Sequence, residues 1–198
     1  MKKILAMAAV ALMTAMSANA QNEDLRHELS LSYGFGSSTQ LGDGLGEGIF
    51  QIFTGTEMKD KGIVGPISAE YFYHLNNPKW AVGGIVSYSK WDSDVVSKSS
   101  GEKQSDRKRS YIAVMPSVKR YWVNKNSFGL YSKLALGVCF LSLEDKPVDN
   151  SDKKSENGTY VIGQLSVLGA EFGGQFRGFA EAGFGEQGFL QAGIRYKF

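Results

Sequence analysis

The feature that most constrains this chain is a two-residue alternation of apolar and polar side chains, repeated in eight segments. It is clearest at 28–35, 67–75 and 190–198. Successive side chains of a β-strand point to opposite faces, so this period is typical of strands that have one apolar face. After residue 20, no apolar run approaches the roughly 20 residues that a membrane-spanning helix needs. The sequence therefore predicts an all-β fold of eight strands.

The first twenty residues have the organisation of an export signal. Two lysines precede an apolar run at 4–16, and small residues follow as far as Ala20. We predict cleavage between Ala20 and Gln21. This divides the chain into a signal peptide, 1–20, and an all-β mature domain, 21–198. No cysteine directly follows the apolar run, which argues against a lipid anchor.

Charge and cysteine content exclude several classes of protein. The chain has 22 Lys and Arg against 20 Asp and Glu, and two of the lysines lie in the predicted signal peptide, so the remainder is formally neutral. A neutral domain lacks the general basic surface of a nucleic-acid-binding protein. The single cysteine, Cys139, excludes an intrachain disulfide and a Cys-based zinc site. No cofactor and no metal site is predicted.

Short and long connections alternate along the predicted strands. Asn-, Gly-, Pro- and Ser-containing segments at 76–79, 124–127 and 173–175 predict tight turns. Longer polar segments at about 37–64, 92–107 and 142–158 are predicted to be loops, with Asn157-Gly158-Thr159 as a turn that leads into a strand. The fourth connection on that side, around 185–187, is short. Short turns at one end and long loops at the other are typical of an antiparallel, up-and-down outer-membrane barrel.

Alternation alone does not tell which face of the strands points inward, and a soluble lipocalin-like barrel would enclose the apolar face. Three observations favour the transmembrane arrangement. Aromatic residues gather beside the short turns, as at a bilayer interface. The polar face is rich in Gly, Ala and Ser, which suit the narrow interior of an eight-stranded barrel. Its charges have both signs and can pair in the lumen. The predicted luminal network comprises Glu28, Glu70, Lys119, Lys133, Glu171, Arg177, Glu181 and Arg195, with Lys197 on the same face.

With its export signal, eight alternating strands and terminal Arg195-Tyr196-Lys197-Phe198, the chain resembles the small outer-membrane β-barrel proteins of the OmpA/OmpX type. The resemblance implies an eight-stranded antiparallel transmembrane barrel in the outer membrane of a Gram-negative cell, with both termini in the periplasm. It also implies that the barrel-assembly machinery reads the last strand. The positions that carry this assembly signal are Leu190, Ala192, Ile194, Tyr196 and Phe198.

No catalytic residues are predicted. The chain has two histidines, His27 and His74, and both lie near the end with the short turns. Barrel enzymes that modify lipid A generally use a histidine near the outer leaflet. The predicted long loops contain no histidine, so a Ser–His pair cannot be built there. Residues 183–188 match the dinucleotide pattern G-x-G-x-x-G, but a strand follows instead of a helix, so we interpret them as a hairpin tip.

The expected function is a structural or surface-interaction role, with outer loops that meet lipopolysaccharide or an extracellular protein. Loop cations such as Lys98, Lys103 and Arg107 can pair with lipopolysaccharide phosphates. Three alternatives remain open: a narrow porin-like pore, a lipid-modifying enzyme and a soluble lipocalin-like binder. The strand number disfavours the pore, and the histidine count disfavours the enzyme.

Overall fold

A computed structural model describes residues 25–39, 56–97, 103–147 and 154–198. The predicted cleavage position, Ala20 and Gln21, lies outside the described residues. The strands are β1 (His27–Phe35), β2 (Thr56–His74), β3 (Trp80–Ser97), β4 (Lys103–Asn124), β5 (Phe128–Pro147), β6 (Lys154–Gly173), β7 (Phe176–Gly185) and β8 (Leu190–Lys197). Each strand is antiparallel to its neighbours, and β8 pairs with β1 to close the sheet. The predicted eight-stranded, antiparallel, up-and-down barrel is confirmed.

The two-residue period of the sequence becomes a two-residue period of burial. In β1, Glu28 and Ser30 are buried inside the barrel, whereas Leu31 and Phe35 lie exposed on its outer wall. The same arrangement, with mainly polar residues inside and apolar residues outside, recurs in β7 and β8, where buried and exposed residues alternate. The sheet pleat produces this pattern, because neighbouring residues of one strand point to opposite faces. In these three strands the apolar set therefore faces outward.

The predicted long loops are wrong over much of their length. The strands β2 to β6 have 18–22 residues, whereas β1, β7 and β8 have 8–10. Residues predicted as loop at 56–64, 92–97, 103–107, 142–147 and 154–158 belong to strands, and Asn157-Gly158-Thr159 lies inside β6 instead of at a turn. These segments have no sustained alternation of apolar and polar residues, but the ladder of backbone pairs continues through them.

The long strands rise beyond the short ones on one side of the barrel. Pairing of β1 with β2 ends at Tyr33 and Ile67, and pairing of β6 with β7 begins at Gln164 and Gly185. Past those points, the described parts of β2 to β6 continue as a sheet that pairs only within itself. We call this sheet the strand extension; it comprises residues 56–64, 90–97, 103–110, 142–147 and 154–162.

The end opposite to the strand extension is closed by tight turns. In the β2–β3 turn, the Leu75 amide donates to the Trp80 carbonyl at 2.9 Å, and the Asn77 side chain accepts from the Lys79 amide at 3.1 Å. An Asn side chain often mimics a backbone turn in this way, which explains why Asn and Pro mark the position. The predicted short turns and the observed ones coincide.

The β7–β8 turn depends on glycines with positive φ, and one of them offers a stability test. Gly188 has a φ of 99°, and a Cβ atom there would lie 2.4 Å from the Phe35 carbonyl oxygen. Such a conformation is strained for any side chain, so we expect Gly188→Ala to lower the free energy of unfolding by about 1–3 kcal/mol. Urea-unfolding midpoints in lipid vesicles measure this change.

Gly178→Ala is the matched control, because a Cβ atom at Gly178 meets nothing within 4 Å. We expect that variant to unfold at the wild-type midpoint or slightly above it. Equal losses in the two variants would show that the turn conformation is unimportant.

Candidate functional site

The barrel interior contains a layer of charged side chains at the end with the short turns. All eight residues of the predicted network, together with Lys197, are no more than 3% exposed. We call these nine residues the luminal charge layer. Seven of the eight strands contribute to it: Glu28 from β1, Glu70 from β2, Lys119 from β4, Lys133 from β5, Glu171 from β6, Arg177 and Glu181 from β7, and Arg195 and Lys197 from β8.

Arg195 lies at the centre of the luminal charge layer and approaches all four of its carboxylates. Its guanidinium contacts Glu171 and lies 2.9 Å from Glu28. Glu70 and Glu181 each lie 3.8 Å from the same side chain. Arginine suits this position because its planar group offers five N–H donors in several directions.

Two lysines pair with carboxylates that Arg195 also approaches. Lys119 pairs with Glu28, and the Lys133 ammonium lies 2.6 Å from Glu70 and 2.8 Å from Glu181. An isolated charge in a low-dielectric interior is unfavourable by several kcal/mol, so compensation by several partners is needed to keep these groups charged.

Glu171, the carboxylate nearest the short turns, pairs with three cations. It accepts from Arg177 at 2.6 Å and from Lys197 at 2.6 Å, in addition to its contact with Arg195. Arg177 also donates to the carbonyl of Asn126, 2.7 Å away in the β4–β5 turn. The luminal charge layer therefore links the last strands of the barrel to the neighbouring β4–β5 turn.

Uncharged polar residues add hydrogen bonds to the luminal charge layer, and the sequence analysis did not assign them this role. Tyr121 donates to Glu28 at 2.9 Å, and Tyr131 donates to Glu181 at 2.7 Å. Both tyrosines lie two residues from a luminal lysine, so the strand period could have identified them. Gln187 donates to Glu70 at 2.7 Å from the β7–β8 turn, where no periodic signal exists.

The interior changes character toward the strand extension. A cluster of buried side chains occupies that half: Ile85, Tyr111, Ala113, Met115, Ala135 and Cys139. Cys139 is buried on the luminal face, where the alternation of β5 placed it. Above the charged layer, the lumen therefore has an apolar cluster on β3 to β5, with buried polar residues such as Ser68 and Gln164 on other strands.

The histidines have the surroundings of structural residues. His74 is buried, and its Nε2 lies 3.1 Å from a Glu28 carboxylate oxygen. His27 lies on the outer wall, where its Nδ1 is 2.7 Å from the Tyr71 hydroxyl and its ring stacks on Phe198. Within the described segments, neither histidine hydrogen-bonds a serine or cysteine side chain, and no group of three or more His, Cys, Asp or Glu is arranged to hold a metal ion.

The outer wall of the barrel is apolar between its two ends. Exposed side chains on this wall include Leu31, Ile67, Val82, Val86, Ile112, Val114, Leu134, Leu136, Val138, Leu165 and Ile194. Aromatic residues flank them near the short turns, among them Tyr71, Trp80, Trp122, Phe172 and Phe176. A belt of this extent is far larger than the apolar patches that soluble monomers expose.

The residues of the predicted assembly signal lie along the outer face of β8. Leu190, Ala192 and Ile194 are exposed, and Tyr196 and Phe198 are half-buried. Phe198 exchanges two backbone hydrogen bonds with His27, at 2.8 and 2.9 Å. The last strand is thereby paired with the first along its whole length.

Charged side chains appear on the wall where the strand extension begins. On the outer face, the Lys90 ammonium lies 2.6 Å from Asp92, and this hydrogen bond raises the pKa of Lys90. On the inner face, Arg107 lies 3.1 Å from Asp145. Both pairs are partly exposed, so their contribution to stability is small.

A shallow groove marks the same boundary on the outer face of β4 to β6. It encloses about 240 Å³, and its lining changes from Ile112 and Phe140 on one side to hydroxyl and amide side chains on the other. These polar side chains are Ser110, Ser142, Asn157 and Thr159. The apolar wall thus ends at one height across three strands.

Comparisons with known proteins found similarity in fold. No family model and no curated protein sequence matches the chain. Among solved structures, the chain is similar to Ail, the attachment invasion locus protein of Yersinia pestis, crystallised with the heparin analogue sucrose octasulfate. The two share 16% sequence identity over 87% of this chain and 99% of that one, with a TM-score of 0.44. No helix in the described part of the chain is long and apolar enough to cross a membrane.

Proposed function

We propose that this chain is an integral barrel of the bacterial outer membrane with a structural or surface-interaction role. The observation that carries the proposal is the inversion of its two faces, since nine charged side chains lie inside and the apolar side chains lie outside. In water, this barrel would bury its charges and expose a continuous hydrophobic belt. In a bilayer, the same belt contacts acyl chains, and the charges are shielded from them.

The height of the apolar wall fits a membrane. On β5, the outward-facing residues from Leu130 to Phe140 are apolar except Ser132, and polar Ser142 and Glu144 follow on the same face. At about 3.3 Å per residue and a strand tilt of about 40°, this interval spans roughly 25 Å along the barrel axis. That height matches the apolar band of an outer-membrane barrel. The strand extension then stands outside the membrane on the side of the outer leaflet.

We further propose that side chains close the lumen to solutes. An eight-stranded barrel has an interior only wide enough for its own side chains. Here Arg195, Lys119, Lys133, Tyr121 and Tyr131 are among the largest fully buried side chains. Their ion pairs and hydrogen bonds link strands on opposite sides of the barrel, so passage of a solute would require several of these contacts to break together.

In this proposal the barrel acts without catalysis, and the strand extension and its connections are its interaction surface. Partly exposed pairs such as Lys90–Asp92 supply cations near the outer leaflet. Cations at this height can meet lipopolysaccharide phosphates, and an extracellular protein is the second candidate partner. Export by residues 1–20 and recognition of the last strand by the barrel-assembly machinery complete the proposal.

Gel mobility of the outer-membrane fraction, with and without boiling, tests the membrane assignment. We expect the chain in that fraction, with a faster-migrating form that shifts on heating, because a closed barrel resists detergent until it is boiled. Recovery in the soluble periplasmic fraction without a shift would contradict the proposal and favour the lipocalin-like alternative. Planar-bilayer conductance and the mass of lipid A in a deletion strain then test the pore and the enzyme. We expect no channel steps and no change in mass.

A further inference from the structure

One arginine on the lipid-facing wall is surrounded by aromatic rings. Arg120 projects outward from β4, four residues before that strand ends at the β4–β5 turn. Its guanidinium carbon lies 5.3 Å from the ring centre of Trp80 and 4.6 Å from that of Trp122. Trp80 is the direct cross-strand partner of Arg120 on β3. Trp122 follows two residues later on the same face.

The rings hold the guanidinium in a defined place. The Trp122 indole N–H donates to the Ser132 hydroxyl at 2.9 Å, and that hydroxyl donates to the Val167 carbonyl at 2.6 Å. These bonds fix the Trp122 ring across three strands. Cation–π contacts with both rings stabilise Arg120 through the face of its planar group. The N–H donors along the edge of the plane remain available.

Among the described residues, Arg120 differs from the arginines in the lumen in having no acid to pair with. Within the described part of the chain, its side chain makes no ion pair and no hydrogen bond, and its recorded contacts are the two rings. Arg177 and Arg195, by contrast, each contact carboxylates. A cation that faces the bilayer interface without an acidic protein partner can pair with an anion from the membrane.

The position of Arg120 points to the periplasmic leaflet. Tryptophan is enriched at the headgroup level of membrane proteins, and Trp80 and Trp122 lie beside the short turns. At this depth the available anions are lipid phosphates, which the edge donors of a guanidinium bind in bidentate fashion. We propose that Arg120, Trp80 and Trp122 form a binding site for the phosphate of an anionic phospholipid in the periplasmic leaflet. The proposal rests on the membrane assignment above.

Lipid-dependent tryptophan quenching tests the site. The chain has three tryptophans, so a Trp91→Phe background leaves Trp80 and Trp122 as reporters. The full barrel is reconstituted in phosphatidylcholine vesicles that contain brominated phosphatidylglycerol or brominated phosphatidylcholine. We expect the two reporters to favour phosphatidylglycerol by about fivefold in relative association constant. Arg120→Gln should reduce this ratio to about one, and Arg120→Lys should retain part of it.

Lys90→Gln is the matched control, because Lys90 also faces outward but pairs with Asp92 at the opposite end of the barrel. It should leave the ratio unchanged. A ratio near one in the parent protein, or an unchanged ratio in Arg120→Gln, would overturn the site. Loss of selectivity on adding inorganic phosphate, but not chloride of equal ionic strength, would also overturn it in favour of a free-phosphate site. A heat-shift assay on the same vesicles distinguishes failure of the lipid site from failure of the membrane assignment. A protein that does not insert contradicts the membrane assignment, whereas an inserted barrel without lipid selectivity contradicts only the site.

Discussion

Replacing Arg195 with methionine should lower the free energy of unfolding by about 3–5 kcal/mol. Methionine retains an unbranched apolar side chain and removes the charge that approaches Glu28, Glu70, Glu171 and Glu181. Those carboxylates keep their lysine and Arg177 partners but lose the group that they share. Urea unfolding in phosphatidylcholine vesicles, followed by tryptophan fluorescence and heat-shift mobility, measures the change.

Two comparisons show whether the loss comes from the luminal charge layer. Lys90→Met removes a cation from a partly exposed ion pair, and its unfolding midpoint should stay at the wild-type value. Adding Glu171→Gln to Arg195→Met should cost less than Glu171→Gln costs in the wild-type barrel, because the shared contact has already gone. Strict additivity of the two changes, or equal effects of Arg195→Met and Lys90→Met, would show that the layer contributes no coupled stability.

Leu136→Arg should lower the free energy of unfolding in vesicles by about 2–4 kcal/mol. Leu136 is 62% exposed in the middle of the apolar wall of β5, so an arginine there would face the centre of the bilayer. In a soluble barrel, the same change at an exposed position would alter stability by about 0.5 kcal/mol or less. Urea-unfolding midpoints in vesicles therefore test the inside-out assignment through the folded protein itself.

The control for this prediction is a leucine at a different depth in the proposed bilayer. Leu75 is an exposed leucine at the β2–β3 turn, near the membrane interface. Leu75→Arg should cost about 0–1 kcal/mol, because an interfacial arginine reaches water and phosphate. If both leucine variants retain wild-type stability, the apolar wall does not face lipid, and the lipocalin-like alternative gains support.

The sequence allowed us to predict which residues share a face of each strand, because neighbouring side chains of a strand point to opposite sides of the sheet. A residue such as Glu70 lies inside whenever Ala69 and Tyr71 lie outside, whatever the rest of the fold does. The same reasoning placed Cys139 and His74 in the lumen. It failed at the strand extension, because the regular alternation of apolar and polar residues stops there while the strands continue. Only cross-strand hydrogen bonding reveals that residues such as Asn157 and Gly158 are still in a strand.

The sequence by itself determined the strand count and which charges share one face of the strands, and it favoured placing that face in the lumen. Which of those charges pair was decided only by the tertiary structure, because pairing depends on strand register and on closure of the barrel. Arg195 meets Glu171 across 24 positions of the chain and Glu28 across the seam between the last strand and the first. The tertiary structure likewise brought Trp80 to Arg120 and inserted Gln187 beside Glu70. Such contacts join residues distant in sequence, and no periodicity along one strand encodes them.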